Sequence, residues 1–170
     1  MDKQKFSEVL RIYQSAVISV IHKMINSWDT AHDLAQDAFV KLWHYRDRIS
    51  EDKPIFTLLY KIAVNLAIDH QRKSKNRFVE LHETFSSTSF ENLDNREIYQ
   101  LILAISDRLK PKQKAIFILR DIEGFSFEEI KSIMNMPIGN VRSNLHLARK
   151  NIKNTLESDY NLSQELIYEL

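Results

Sequence analysis

The residues best suited to do chemistry lie in two basic runs that contain no acid. One carries Lys131, Arg142, Arg149, Lys150 and Lys153, the other Arg72, Lys73, Lys75 and Arg77. Cationic groups clustered along a helix attract phosphate, and short polar side chains among them can reach base edges. A single short basic run is more often a solvated helix face. Two such runs, each ending an amphipathic helix, favour a polyanion binder with two sites. The net charge of +1 gives no hint of this; the distribution does, because an acidic stretch with Glu80, Glu83, Glu91 and Asp94 separates the runs.

Other chemistry finds little support. The six histidines are scattered, and no pair has the spacing of a helical metal site. Asp33 and Asp37 share a helix face, but nothing beside them completes an acid–base constellation, so they read as a contact surface. Gly-rich phosphate loops and nucleophile elbows are absent. With no cysteine, thiol catalysis and disulfides are excluded, which suits a reducing cytosol. No catalytic residue, metal or cofactor is expected, and the chain is not expected to be an enzyme.

The elements that would position the basic groups are helices. With 170 residues, 44% of them hydrophobic, and only two Gly and three Pro, the chain is globular and reads as all-α. It carries no signal peptide and no apolar run long enough to span a membrane, so a cytoplasmic protein without membrane insertion is expected. Phe6, Val9, Leu10, Tyr13, Val17, Ile21 and Met24 predict a helix over residues 3–26. Ala31, Leu34, Ala35, Ala38, Phe39, Leu42 and Trp43 predict a second, with Asp33, Gln36, Asp37 and Val40 on its outward side. Pro54 suits the first turn of a third, which turns Leu58, Leu59, Ile62, Ala63 and Leu66 inward. Thr57, Tyr60, Lys61, Val64, Ile68, Gln71, Arg72 and Lys75 fall on its other side.

Residues 76–94 lose the period and read as a flexible tether. A second bundle follows. Ile98, Leu101, Ile102, Ile105 and Leu109 line one helix, and Pro111 opens another that Gly124 ends. Ser126 with Glu129 is a capping box, and Phe125 with Ile130 has the spacing of a hydrophobic staple. Ile138, Val141, Leu145, Ala148 and Ile152 then form one face of a last helix. Two short helices around a tight turn, the second basic, make a helix-turn-helix. Its outer meridian carries Asn140, Ser143, His146, Leu147 and Lys150, expected at base edges or nearby phosphates. Arg142 and Arg149 lie on a flank, suited to positioning the DNA backbone. The predicted organisation is two small helical bundles, 1–76 and 96–154, joined by a linker over 77–95 and followed by an acidic tail over 155–170.

With both bundles in view, the chain resembles a bacterial RNA polymerase sigma factor of the extracytoplasmic-function class of the sigma-70 family. The resemblance spans about residues 6–153. It rests on DLAQDAFVKLW from Asp33, FTLLYKIAVNLAIDHQRK from Phe56, and LKPKQKAIFILRDIEGFSFEEIKSIMNMPIGNVRSNLHLARK from Leu109. It implies that the first bundle docks on core polymerase and opens the −10 element, and that the second reads the −35 element. Asp33, Gln36 and Asp37 would then face the polymerase, and Tyr60, Lys61, Arg72 and Lys75 would meet −10 DNA. Tyr60 among the cations would supply a stacking platform for single-stranded bases. The loop Arg46–Ile55 would form a pocket for a flipped base. Core polymerase and promoter DNA are the implied partners, and many relatives add an anti-sigma factor.

The sequence departs from the family pattern at informative places. Asn144 and Leu147 stand where basic residues are common, and Met134-Asn135-Met136 replaces a small turn containing Gly. Two other readings fit the residues less well. A stand-alone helix-turn-helix regulator would need a ligand pocket or dimer seam in the first bundle. A helical adaptor would use the basic faces for a protein partner.

Overall fold

The computed structural model describes residues 1–49, 54–75 and 95–160, the side chains of Lys75 and Tyr160 excepted. The expected linker, apart from Asn95, and residues 161–170 of the acidic tail lie outside this range, as do residues 50–53 of the loop before the third helix.

Seven α-helices form among the described residues, and local chemistry sets most of their ends. In α1, Lys3–Ile25, the Asp2 carboxylate accepts from the Lys5 N–H at 2.8 Å, while Asn26 closes the helix in the left-handed region at φ 58°. In α2, Trp28–His44, the Ser27 hydroxyl accepts from the Thr30 N–H at 3.3 Å. A short 3-10 turn, Arg46–Arg48, follows. α3 spans Ile55–Lys75 and α4 Asn95–Ser106. α5, Pro111–Phe117, widens into a π-helical turn over Ile118–Ile122 and ends at Gly124, whose φ of +76° a side chain would resist.

Both halves of the expected capping box form at the start of α6, Phe127–Met134: Ser126 Oγ accepts from the Glu129 N–H at 3.2 Å, and Glu129 Oε2 from the Ser126 N–H at 2.7 Å. The turn that lacks Gly solves its geometry with Asn135, at φ 50° and ψ 51°, since asparagine tolerates the left-handed region better than other side chains. α7 runs from Ile138 to Tyr160, so the first six residues of the acidic tail are its last turns.

Helices α1 to α3 make the first bundle. Ala31, Ala35 and Ala38, all buried, let α2 lie close against its neighbours, and Val17, Ile21, Met24, Leu42 and Leu59 fill the space between. Helices α4 to α7 make the second, around Leu101, Ile116, Leu119, Ile130, Ile133 and the α7 stripe Val141, Leu145, Ala148, Ile152 and Leu156.

The two bundles pack against each other. Their buried residues form one core, because α3 also packs against α5 and α6. The side of α3 expected to face outward is covered there: Tyr60, Val64 and Ile68 are all buried. The reason is visible in the residue types. Tyr60, Val64 and Ile68 recur every four residues as a second apolar stripe, and removing each from water stabilises the fold by roughly 1.5–3 kcal/mol. No helix of the described residues is long and apolar enough to cross a membrane.

The left-handed turn generates a direct test. Asn135→Val should cost about 1–2 kcal/mol in urea unfolding, because a β-branched residue resists positive φ. Asn135→Gly should cost nothing measurable.

Candidate nucleic-acid interface

The face of α7 opposite its buried stripe is open. Asn140, Arg142, Ser143, His146, Leu147, Arg149 and Lys150 are all exposed, and Leu147 stands out as an apolar side chain at 45% exposure. The capping box starts α6 sharply, and the Asn135 turn aims α7 away from it.

The groups on this face differ in how free they are. The Arg149 guanidinium pairs with the Asp121 carboxylate through two hydrogen bonds, 2.8 Å from Nε and 2.6 Å from Nη2. That bonding raises its pKa and holds the fork in one orientation. Arg142 lies over the Phe127 ring at 5.3 Å, and Arg120 covers the same ring at 4.7 Å. Ser143 Oγ donates to the Gly139 carbonyl at 2.9 Å, and Asn144 Nδ2 to the Asn140 carbonyl at 2.8 Å. The flanking arginines are therefore pre-positioned by the second bundle itself. Asp121 and Phe127, which hold them, are residues that the sequence pattern did not single out; a carboxylate 28 positions before an arginine carries no periodic signal.

The second set of candidates, on α3, is not brought together as a free surface. Tyr60 is 5% exposed, and its ring packs against Phe125 of the second bundle, centroids 5.0 Å apart at 63°. The expectation of an exposed stacking platform is corrected: in this arrangement the ring is inside. Burial pushes the Tyr60 hydroxyl up to about 12, and the nearby Glu123 carboxylate adds to the shift. Lys61 is half-buried. Arg72 is exposed and meets Asp69 at 3.8 Å, a loose surface pair. Lys75 closes α3, and its side chain lies outside the described residues.

On α2, Asp33, Gln36, Asp37 and Val40 form the exposed ridge that the wheel predicts. Beside it runs a groove of about 630 Å³ between α1 and α2, lined by Phe6, Leu10, Ile18, Phe39, Val40 and Trp43 among others. Trp43 is half-buried, packed 5.0 Å from Phe6 with the Arg46 guanidinium 4.5 Å over its ring. An acidic ridge bordering an apolar groove offers a helical partner both charge and burial.

Residues 9–77 match the family described as Sigma-70 region 2, and residues 99–152 match Sigma-70, region 4. The chain is 28% identical over 170 residues to the ECF RNA polymerase sigma-E factor of Escherichia coli K12, covering 92% of this chain and 88% of that one. It is 27% identical over 173 residues to the ECF RNA polymerase sigma factor SigW of Bacillus subtilis 168, covering 91% and 90%. Among solved structures, the sigma factor RpoE in complex with the anti-sigma factor NepR from Bartonella quintana has a similar fold. It aligns with a TM-score of 0.69 at 22% identity, over 92% of this chain and 99% of that one. CnrH in complex with the cytosolic domain of CnrY aligns with a TM-score of 0.69 at 20% identity, over 93% and 91%.

The open face of α7 generates a test by fluorescence anisotropy on duplex DNA. Leu147→Arg should raise general affinity and steepen the log–log salt slope by about 0.9, one extra neutralised phosphate. Unchanged or weaker binding would mean that this face does not point at DNA.

Proposed function

We propose, for a chain that belongs to the extracytoplasmic-function class of the sigma-70 family, that each exposed surface has a separate task. The protein is a sigma factor. It directs core RNA polymerase to specific promoters and starts transcription there, as a DNA-binding initiation factor. The assignment of tasks rests on one observation above others: every reading residue of α7 stays exposed while the stripe behind it is buried.

On this reading the second bundle, about residues 96–154, reads the −35 element. Asn140, Ser143, His146, Leu147 and Lys150 meet base edges or nearby phosphates, and Leu147 offers apolar contact to a thymine methyl. Arg142 and Arg149 fix the backbone register. The first bundle, about residues 1–76, docks on polymerase through Asp33, Gln36 and Asp37, with the adjoining groove taking apolar side chains of the partner. α3 serves the −10 element through Lys61, Arg72, Lys75 and, once it is uncovered, Tyr60. An anti-sigma factor is the third partner, a reading supported by the similar sigma factor solved with one. The site of action is the cytoplasm, where core polymerase works.

Internal pairing leaves the α7 face lightly charged, so the isolated chain should bind duplex weakly. Firm binding then needs both bundles together on polymerase. The test is reconstitution with sigma-free core polymerase and a promoter library. Specific transcript starts are expected, whereas neither co-purification nor transcription would sink the reading. Asp33→Lys with Asp37→Lys should weaken co-purification with core polymerase by about tenfold or more, or ~1.4 kcal/mol. The double variant should leave DNA binding by the isolated chain no weaker.

A further inference from the structure

The surfaces assigned above are not equally accessible. The α2 ridge and the α7 face are open, but the face of α3 that carries Tyr60 is covered by the second bundle. Three contacts hold the cover in place. Lys114 of α5, 1% exposed, donates to the Met24 carbonyl at the end of α1 at 2.5 Å and reaches the Asp107 carboxylate at 2.5 Å. Lys23 of α1 pairs with Glu123, just beyond the π-helical turn, at 2.5 Å, and both side chains are only about a fifth exposed. Phe125, two residues further on, sits against Tyr60.

These contacts are polar as well as apolar, and they are specific in position. Lys114 and Lys23 bring positive charge to the C-terminal end of α1, where the helix dipole favours it. The Met24 carbonyl also accepts from Gln71 Nε2 of α3 at 2.6 Å, so α1, α3 and α5 meet at one oxygen.

A closed chain cannot do both of its proposed jobs at once. The −35 and −10 elements lie roughly 25 base pairs apart, about 80 Å at ~3.4 Å per pair. A compact chain of 170 residues has a radius of gyration of about 16 Å, hence a diameter near 40 Å. The bundles must separate before both elements can be read.

We propose that Lys114, the Lys23–Glu123 pair and the Tyr60–Phe125 contact form a latch, built into the chain, that closes the second bundle over the −10 face of α3. The closed form keeps the polymerase-docking ridge and the −35 face available while withholding the stacking aromatic from single-stranded DNA. The inference rests on the −10 reading of α3 given above. The latch itself does not, and the experiment separates the two.

The test uses the full chain and a charge swap. Lys23→Glu sets two carboxylates against each other and should open the chain, seen as a rise in the radius of gyration by small-angle X-ray scattering. Lys23→Glu with Glu123→Lys restores an opposite-charge pair and should close it again. Lys114→Met keeps the side-chain bulk, removes the ammonium and should also open it. Binding to a single-stranded −10 oligonucleotide without polymerase should rise about tenfold in Lys23→Glu and return in the swap. Lys23→Glu makes the chain more negative, so added charge cannot explain a gain. If both the Lys23→Glu and the Lys114→Met variants stay compact, the latch is wrong. If they open without gaining oligonucleotide affinity, the latch stands, and both the −10 role of α3 and its withholding are overturned.

Discussion

Lys114 is the charged side chain that the fold takes furthest out of water among the described residues. Burying an ammonium costs several kcal/mol unless its protons find acceptors. Here the acceptors are the Asp107 carboxylate and a carbonyl of the last turn of α1. That requirement fixes α5 against the end of α1 more narrowly than apolar packing would, since hydrophobic burial is non-directional. The consequence travels along the chain. From α5 the π-helical turn and Gly124 lead directly into α6, so fixing α5 places α6 over α3. One buried cation thereby helps set how the two bundles meet.

On the proposed reading of α7, carboxylates then decide which cations remain for DNA. Asp121 engages Arg149, Glu128 meets Lys131 at 3.1 Å, and Glu157 faces Lys153 at 3.8 Å. As stabilising pairs these contacts at or near the surface are worth little, about 0–1 kcal/mol each. Their effect is on recognition. Arg149 becomes a fixed fork, Arg142 is steadied by the Phe127 ring, and Lys150 with His146 is left on the outer meridian beside the apolar Leu147. A reading helix with so little free charge gains little from sequence-neutral attraction, which is what counterion release supplies. On the proposed reading, discrimination between sequences then falls to the few short side chains at Asn140, Ser143 and His146, and residence on DNA to what polymerase adds.

What was legible in the sequence was what is local. Capping chemistry at Ser126 and Glu129, the end at Gly124, the stripe on α7 and its outer face follow from spacings of three and four residues, and the structure forms them. What was not legible depends on distant partners. Tyr60, Val64 and Ile68 have the right period for a second apolar stripe, but period alone does not say whether water, DNA or another helix meets it. Nothing in the sequence pattern singles out Lys114; its burial depends on a carbonyl 90 positions earlier in the chain. Met134-Asn135-Met136 could be seen to replace a turn containing glycine, but the sequence did not say that Asn135 would take the left-handed conformation. The latch and the turn escaped the sequence for opposite reasons, one because its partner is remote and the other because two residue types share a conformation.

Tyr60 brings these threads to one atom group. Its ring packs edge-on against Phe125, an arrangement worth ~0.5–1.5 kcal/mol beyond area burial. Stacking a base on an aromatic ring is worth ~1–3 kcal/mol. On the proposed reading the same ring cannot do both, so closure and −10 engagement exclude each other through identical atoms rather than through a remote signal. By these magnitudes a single stacked base would offset the ring pair. On the same reading, the Lys114 and Lys23 contacts tilt the balance toward closure. A latch made only of apolar packing would depend on total area and resist fine adjustment. One with two lysines at the end of α1 can be shifted by any partner that rearranges a few charges there, and tenfold in population requires only ~1.4 kcal/mol.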